Sequence, residues 1–146
     1  MKKAVSYLLL GIGGLALIYL SLVVYLMGGI GNFGMPVRWE IPPGYKGWIM
    51  LRSGDPSCKP YDKQGIWHVV HVANDGMACM SDSRETKWRF ESFVYKNPDG
   101  SMTKIEYAEV TGGHRYDSPG GVIDAYFIGS GADAERTRPP YPKLLE

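Results

Sequence analysis

The longest uninterrupted apolar stretch of the chain lies at its N-terminus. No charged residue occurs between Ala4 and Gly31, and Lys2 and Lys3 come directly before this stretch. As a helix, residues 4–27 would be about 36 Å long, whereas the hydrocarbon core of a bilayer is about 30 Å thick. The pattern therefore predicts a transmembrane anchor over 1–31. The two lysines favour a cytoplasmic N-terminus and a periplasmic or extracellular C-terminal part.

A cleaved signal peptide is the alternative interpretation of this segment. Gly29-Ile30-Gly31 has the small-x-small pattern of a cleavage site, but the apolar region of a signal peptide is only about 7–15 residues long. A retained anchor is therefore favoured. No cysteine near the segment offers an attachment point for a lipid. Gly11, Gly13 and Gly14 flatten one patch of the predicted helix and are candidates for packing against another helix.

After the apolar segment, the pattern changes to short runs of β-branched, aromatic and alternating residues. A glycine-rich linker is predicted over 32–40, and about six strands follow between residues 41 and 131. This pattern is typical of a mainly β domain, folded as a small antiparallel sandwich or an open barrel. The remaining residues, 132–146, form one predicted helical turn and a proline-rich tail.

Turn residues place the predicted strands in order. Asn74-Asp75-Gly76 and Asn97-Pro98-Asp99-Gly100 each predict a β-hairpin. The glycines of 112–121 predict a loop, and 122–128 predicts the last strand.

The charge of the β domain excludes one class of partner. Residues 32–146 hold all but two of the 16 Lys and Arg residues and all 15 Asp and Glu residues, so their formal charge is close to zero. A domain with interspersed charges and no basic stripe lacks the electrostatic signature of a nucleic-acid-binding protein.

Both cysteines, Cys58 and Cys79, lie in the predicted exported part. In an oxidising compartment they are candidates for a disulfide, which would contribute about 3 kcal/mol for a loop of this length. Two separate thiols are the alternative, because sequence alone does not show that the two residues are close together.

The sequence offers no catalytic or metal-binding constellation, so no cofactor is predicted. His68 and His71 are three residues apart on a predicted strand, so their side chains should point to opposite faces and not share an ion. The glycine-rich loop is a candidate for ligand binding, and exposed aromatic residues are candidates for a sugar or peptide platform. The candidate contact residues are Tyr45, Trp48, Trp67, His114, Arg115 and Tyr116.

The sequence I-P-P-G-Y-K-G-W at 41–48, followed by G-D-P-S-C at 54–58, resembles a family of uncharacterised bacterial domains with an I-P-x-G-Y-x-G-W opening. The resemblance covers most of residues 41–131 and includes a closing A-Y-F-I-G at 125–129. It implies a bacterial, envelope-associated β domain. It brings no catalytic residue with it, and Ile66-Trp67 stand where the family has two tyrosines.

These observations predict a single-pass, membrane-anchored binding or accessory module outside the cytoplasm. Its expected partners are the lipid bilayer and another envelope protein or a membrane complex. One alternative is an anchored hydrolase or carbohydrate-binding domain that uses the 114–117 loop or an exposed aromatic strip. The other is a structural subunit of a larger membrane complex, with Gly11, Gly13 and Gly14 facing another helix.

Overall fold

The computed structural model describes residues 2–26, 34–83, 89–118 and 121–137. The chain divides into two compact units, residues 1–34 and 35–146. Residues 27–33, from the predicted anchor and linker, and residues 138–146, from the predicted tail, lie outside the described residues.

In the first unit, the structure describes the helix α1 (Lys2–Leu26). Among the described residues, no helix meets both the length and the apolarity required to cross a membrane. The predicted transmembrane helix over 1–31 is therefore wrong. Lys2 and Lys3 lie within the first turn of α1 rather than before it. The cytoplasmic N-terminus, which depended on a crossing, loses its support.

The second unit is mainly β, as predicted, and ends in a short helix, α2 (Gly131–Arg136). Its strands are β1 (Val37–Ile41), β2 (Gly47–Ser53), β3 (Asp62–Gln64), β4 (Trp67–His71), β5 (Met77–Met80), β6 (Glu91–Lys96), β7 (Met102–Lys104), β8 (Val110–Ser118) and β9 (Gly121–Ile128). Strand β1 begins within the predicted linker over 32–40.

The strands form two mixed sheets, ordered β3-β4-β1-β6-β7 and β5-β2-β9-β8. Strand β1 is parallel to both β4 and β6, and β2 is parallel to β5. The predicted purely antiparallel arrangement is therefore wrong. The physical reason is that the chain crosses between the two sheets after β1, β2, β4, β5 and β7. Strands β4 and β6 therefore reach β1, and β5 reaches β2, through crossover connections, which allow paired strands to run parallel.

Two predictions about turns and loops are wrong. The turn at Asn74-Asp75-Gly76 forms, with the Gly76 N–H donating to the Ala73 carbonyl at 3.0 Å, but it is a corner between sheets and not a hairpin. The predicted loop over 112–121 is instead mostly strand β8, which pairs with β9 around a bulge between Gly112 and His114. By contrast, β6 and β7 form the predicted hairpin.

The core lies between the two sheets. The five-stranded sheet contributes Val37, Trp39 and Ile41 from β1, and the four-stranded sheet contributes Ile49 and Leu51 from β2; all five side chains are at most 1% exposed. Because strand side chains alternate, the residues between them on β1, Arg38 and Glu40, lie on the outer face of the five-stranded sheet.

A tyrosine fixes the corner between β1 and β2. The Tyr45 hydroxyl donates to the Trp48 carbonyl at 2.6 Å, and the Tyr45 carbonyl accepts a hydrogen bond from the Tyr95 hydroxyl at 3.0 Å. Burial, and to a smaller extent the charge of Asp75, raises the pKa of Tyr45 above its ordinary value. Gly76 packs directly against this hydroxyl.

We predict that Gly76→Ala destabilises the protein far more than Gly100→Ala. Both glycines have φ +83°, but a Cβ at Gly76 would lie 2.1 Å from the Tyr45 Oη and 2.4 Å from the Trp48 carbonyl oxygen, whereas a Cβ at Gly100 would meet nothing within 4 Å. Gly100→Ala should cost about 1 kcal/mol of backbone strain and Gly76→Ala about 3 kcal/mol or more. Urea unfolding measures both losses. Equal losses would contradict this packing.

Candidate functional site

A buried carboxylate occupies the outer face of the five-stranded sheet. Glu40 is only 3% exposed, and its oxygens face three cationic or basic groups. Its Oε1 accepts from the Arg38 Nη2 at 2.9 Å, and its Oε2 accepts from the Lys96 Nζ at 2.6 Å. The same Oε2 lies 3.1 Å from the His71 Nδ1. The carboxylate is thus held by side chains of β1, β4 and β6.

The contacts continue from His71 to the edge of the sheet. The His71 Nε2 lies 3.2 Å from the Asp62 Oδ2, which also accepts from the Gln64 Nε2 at 2.9 Å. The Gln64 Oε1 in turn accepts from the Arg38 Nη2. We call these six residues the Glu40 network: Arg38, Glu40, Asp62, Gln64, His71 and Lys96. Five of them form a closed ring of polar contacts, which Lys96 joins through Glu40, and the network spans four neighbouring strands.

Hydrogen bonds and charges within the network lower the pKa of both carboxyl groups. Burial alone would raise the pKa of Glu40, but hydrogen bonds from Lys96 and Arg38, together with the charges of Lys96 and His71, outweigh it and hold the pKa below its ordinary value. Hydrogen bonds from Gln64 and then His71 lower the pKa of Asp62. The Glu40 oxygens and both His71 nitrogens are occupied by these contacts, so the arrangement stabilises the sheet more readily than it performs acid–base chemistry.

A cleft of about 730 Å³ lies beside the network. Asp62 and His71 belong to both the network and the cleft wall. The wall combines charged, aromatic and apolar groups, and its residues are Ser57, Cys58, Lys59, Pro60, Tyr61, Asp62, Val69, Val70, His71, Ala78, Cys79 and Met80. A volume of this size fits a small molecule or a short peptide segment.

The predicted disulfide between Cys58 and Cys79 is confirmed, and it forms part of the cleft wall. It joins the 57–61 segment to β5. The sulfur atoms and a carboxylate oxygen of Asp55 lie within 4.8 Å of one another. A disulfide has no thiolate to give to a metal, so this cluster is not a metal site in its oxidised form.

Further contacts fix the segment that the disulfide anchors. The Tyr61 N–H donates to the Asp82 Oδ2 at 2.6 Å, and the Ser81 N–H donates to the Lys59 carbonyl at 3.0 Å. The Tyr61 ring stacks on His68 at a centroid distance of 4.7 Å. His68 therefore contacts Tyr61, whereas His71 contacts the Glu40 network.

The structure brings three of the predicted contact residues together on the four-stranded sheet. The Trp48 ring lies 6.0 Å from the His114 ring, which lies 6.1 Å from the Tyr116 ring. The Trp48 N–H donates to the Thr137 carbonyl at 2.7 Å, which ties down the residue after α2. His114 and Tyr116 lie on β8, and not in the loop that the sequence predicted, whereas Trp48 lies on β2.

The other predicted residues are placed elsewhere. The Arg115 Nε pairs with the Asp124 Oδ1 at 3.3 Å, and Tyr45 belongs to the corner described above. Trp67 is half-buried at the start of β4, opposite Gln64. In α1, a Cβ at Gly11, Gly13 or Gly14 would have nothing within 4 Å, so helix packing at these glycines stays a prediction.

Sequence reasoning missed the residues of the Glu40 network other than His71. The signal was present in Arg38-Trp39-Glu40, where opposite charges flank a tryptophan at the spacing of one strand face. The glycine-rich residues before it led us to assign this stretch to a linker. Asp62 and Lys96 had no comparable signal, because only the parallel pairing brings them near Glu40.

One similar structure emerges from comparison with known proteins. It is a crystal structure of a "Putative Lipoprotein from Bacillus anthracis", with a TM-score of 0.57 and 16% sequence identity over 75% of this chain and 87% of that one. A structural similarity at 16% sequence identity shows that the two proteins share a fold, and it shows no more than that. No protein-family model and no curated protein matches the chain. The resemblance to a family with the I-P-x-G-Y-x-G-W opening therefore stays a prediction.

We predict that Glu40→Gln lowers the free energy of unfolding by about 3 kcal/mol, because it leaves cationic partners beside a neutral buried amide. Glu106→Gln is the matched control. Glu106 is exposed and pairs with Lys104 at 3.7 Å, so its loss should cost no more than about 1 kcal/mol. Urea unfolding at neutral pH gives both values, and a Glu40→Gln cost as small as that of the control would contradict the network.

The same variant has a predicted pH dependence. The folded pKa of Glu40 lies below its ordinary value of 4.5, so the unfolded chain binds more protons between the two values. The stabilisation is complete above the ordinary pKa and is lost as the pH falls through the folded pKa. The stability difference between the native protein and Glu40→Gln should therefore shrink on acidification. A difference that stays constant with pH would exclude ionised Glu40 as its source.

Proposed function

We propose that this chain is an extracytoplasmic binding or accessory module of the cell envelope, and that it binds its partner in the cleft beside the Glu40 network without catalysing a reaction. The observation that carries the proposal is the Cys58–Cys79 disulfide, which closes part of the cleft wall. Disulfides form and persist in oxidising compartments and are rare in the cytosol of most organisms. A cleft built around a disulfide therefore fits a protein that works outside the cytoplasm.

A binding role fits the chemistry of the cleft better than a catalytic one. The groups that would serve as acid or base, Glu40 and His71, are committed to contacts within the network. The cleft wall offers Lys59 and Asp62 for polar recognition and the exposed Pro60 for apolar contact. Mixed recognition of this kind suits a peptide segment of another envelope protein or of a membrane complex.

The fold likeness to a protein named as a lipoprotein is compatible with an envelope location. Lipid attachment requires a free cysteine sulfur. Cys58 and Cys79 are joined to each other in the β domain, so neither provides that sulfur. The proposed location therefore depends on the disulfide and not on the name of the similar protein.

We predict that the two thiols are blocked in living cells. Cells are quenched with acid and the protein is treated with a maleimide polymer, with and without prior reduction. The native protein should gain no label before reduction and two labels after it. The Cys58→Ser variant is the control, because its Cys79 is freed and should take one label without reduction. Two labels on the unreduced native protein would contradict the extracytoplasmic assignment.

A second prediction tests the cleft itself. A photo-crosslinking amino acid replaces Lys59, in the cleft wall, or Lys104, which is exposed on β7. In cells of the native host, the probe at position 59 should give a discrete crosslinked product that disappears when Ser57→Glu and Pro60→Glu are added, since both residues are exposed in the cleft wall. The probe at position 104 should give no such product. The same products from both positions, or a product that survives these substitutions, would contradict binding in the cleft.

A further inference from the structure

The two sheets of the described β domain end in edge strands of unequal length. Strands β3 and β7 have three residues each and β5 has four, whereas β8 has nine. Residues 112–115 and 117 of β8 are exposed. Proteins commonly keep edge strands short, because a long exposed edge is a template for pairing with another strand. Of these four edges, β8 is therefore the one best suited to pair with a further strand.

A bulge divides β8 into two parts. It lies between Gly112 and His114, and α2 lies close to the first part, since a Cβ at Gly131 would be 3.9 Å from the Thr111 Oγ1. The second part, 114–118, pairs with β9 in one uninterrupted register. It therefore forms a straight edge of the four-stranded sheet.

The alternation of backbone hydrogen bonds along β9 determines which residues of this edge point outward. The Gly129 N–H donates to the Glu109 carbonyl at 2.8 Å, so Gly129 directs its backbone groups toward β8. In an antiparallel sheet every second residue of a strand bonds to the same neighbour, so Ile123 does likewise. Its partner Tyr116 bonds to β9, and the residues on either side of Tyr116 direct their backbone groups to the outer edge.

These two neighbours of Tyr116 carry opposite charges. Arg115 and Asp117 are two residues apart on one strand, so their side chains lie on the same face. The Arg115 Nε pairs with the buried Asp124 Oδ1 at 3.3 Å, and Asp117 is exposed. A guanidinium has five N–H donors in a fixed geometry, so Arg115 is able to hold a second carboxylate in addition to Asp124.

We infer that two copies of this chain associate by antiparallel pairing of their β8 strands, with Tyr116 at the two-fold axis. Residues paired across such an interface must both direct their backbone groups to it, so one residue meets its own copy at the axis. With Tyr116 there, Arg115 of each copy lies opposite Asp117 of the other copy. An axis at Arg115 or at Asp117 would place like charges opposite each other, which is destabilising. The charges of this edge therefore favour one register.

The other face of β8 fits the same register. Tyr116 is half-buried against Met50, Ile123 and Ala125, and its ring lies 6.1 Å from the His114 ring. At the axis the two copies of Tyr116 would form a pair without backbone hydrogen bonds between them, which is the position where facing side chains are closest. Aromatic pairs at such positions stabilise neighbouring strands.

This inference goes beyond the proposed function and does not depend on it. The cleft is lined by residues of β3, β4 and β5, at the opposite side of the two sheets from β8. A dimer formed through β8 would leave both clefts open. Loss of pairing at β8 and loss of binding in the cleft are therefore separate outcomes.

Cysteine crosslinking of the full chain tests the register, while the native disulfide stays closed. Tyr116→Cys places the new thiols of two copies opposite each other, at a Cα separation that a disulfide can span. His114→Cys and Ser118→Cys are the matched controls, because in this register each lies opposite the other and not opposite its own copy. Each purified protein is oxidised with copper phenanthroline in mild detergent, and covalent dimer is measured on a non-reducing gel.

Tyr116→Cys should give about fivefold more covalent dimer than either control alone, and an equimolar mixture of the two controls should restore dimer formation. The mixture keeps the test independent of any effect of the Tyr116 substitution on folding. Association through α1 alone would give no such dependence on register. Equal yields from all samples, or no dimer from Tyr116→Cys and from the mixture, would overturn the inference.

A charge reversal tests the ion pairs in the same assay. Asp117→Arg, added to Tyr116→Cys, places like charges opposite each other and should lower the yield of covalent dimer about fivefold. Lys63→Glu is the control, because it reverses one exposed charge on β3, at the other side of the sheets, and it should leave the yield unchanged. An equal effect of the two reversals would contradict pairing of Arg115 with Asp117.

Discussion

The packing of three aromatic rings joins the two sheets of the β domain. Trp39, which is fully buried, stacks on Phe93 at a centroid distance of 5.7 Å. Tyr126, from the opposite sheet, meets the edges of both rings at 5.2 Å. Loss of a buried tryptophan side chain typically costs about 3–5 kcal/mol. The two sheets therefore depend on this contact more than on any single hydrogen bond.

The position of Trp39 also determines which side chains of β1 lie on the outer face of the five-stranded sheet. Since side chains alternate along a strand, a tryptophan directed into the core places Arg38 and Glu40 on the outer face of the same strand. Strands β4 and β6 flank β1 on either side and bring His71 and Lys96 to Glu40. One strand thus supplies the centre of the core on one face and the centre of the polar network on the other. The disulfide fixes the segment that completes the cleft beside it.

Local signals along the sequence were sufficient for part of this structure. The β6–β7 hairpin, the last strand, the short C-terminal helix and the disulfide were all predicted, because turn residues, β-branched runs and cysteine placement are local features. The parallel pairing of β1 could not be predicted in this way. It depends on the chain crossing between sheets after Ile41, and a proline–glycine turn looks the same whether it closes a hairpin or crosses between layers. Strand β8 was taken for a loop because its glycines form a bulge within a paired strand.

The candidate site was predicted less well than the fold. Cys58 and Cys79 were identified, but Glu40 was assigned to a linker, and Asp62 and Lys96 are far from it in sequence. Charged residues that meet only through non-local strand pairing leave no periodic signal. The predicted aromatic contacts were real in part, since Trp48, His114 and Tyr116 do come together, although on a sheet face whose tryptophan N–H is committed to Thr137.

The most direct test of the account is whether the β domain lies outside the cytoplasm. Cells with an accessible plasma membrane surface are treated, intact or lysed, with an amine reagent that does not cross membranes, and labelling of exposed Lys46 and Lys59 is measured by mass spectrometry. An extracytoplasmic domain predicts equal labelling of both lysines in intact and lysed cells. Labelling that appears only after lysis, while a known surface protein is labelled in both samples, would contradict the central claim.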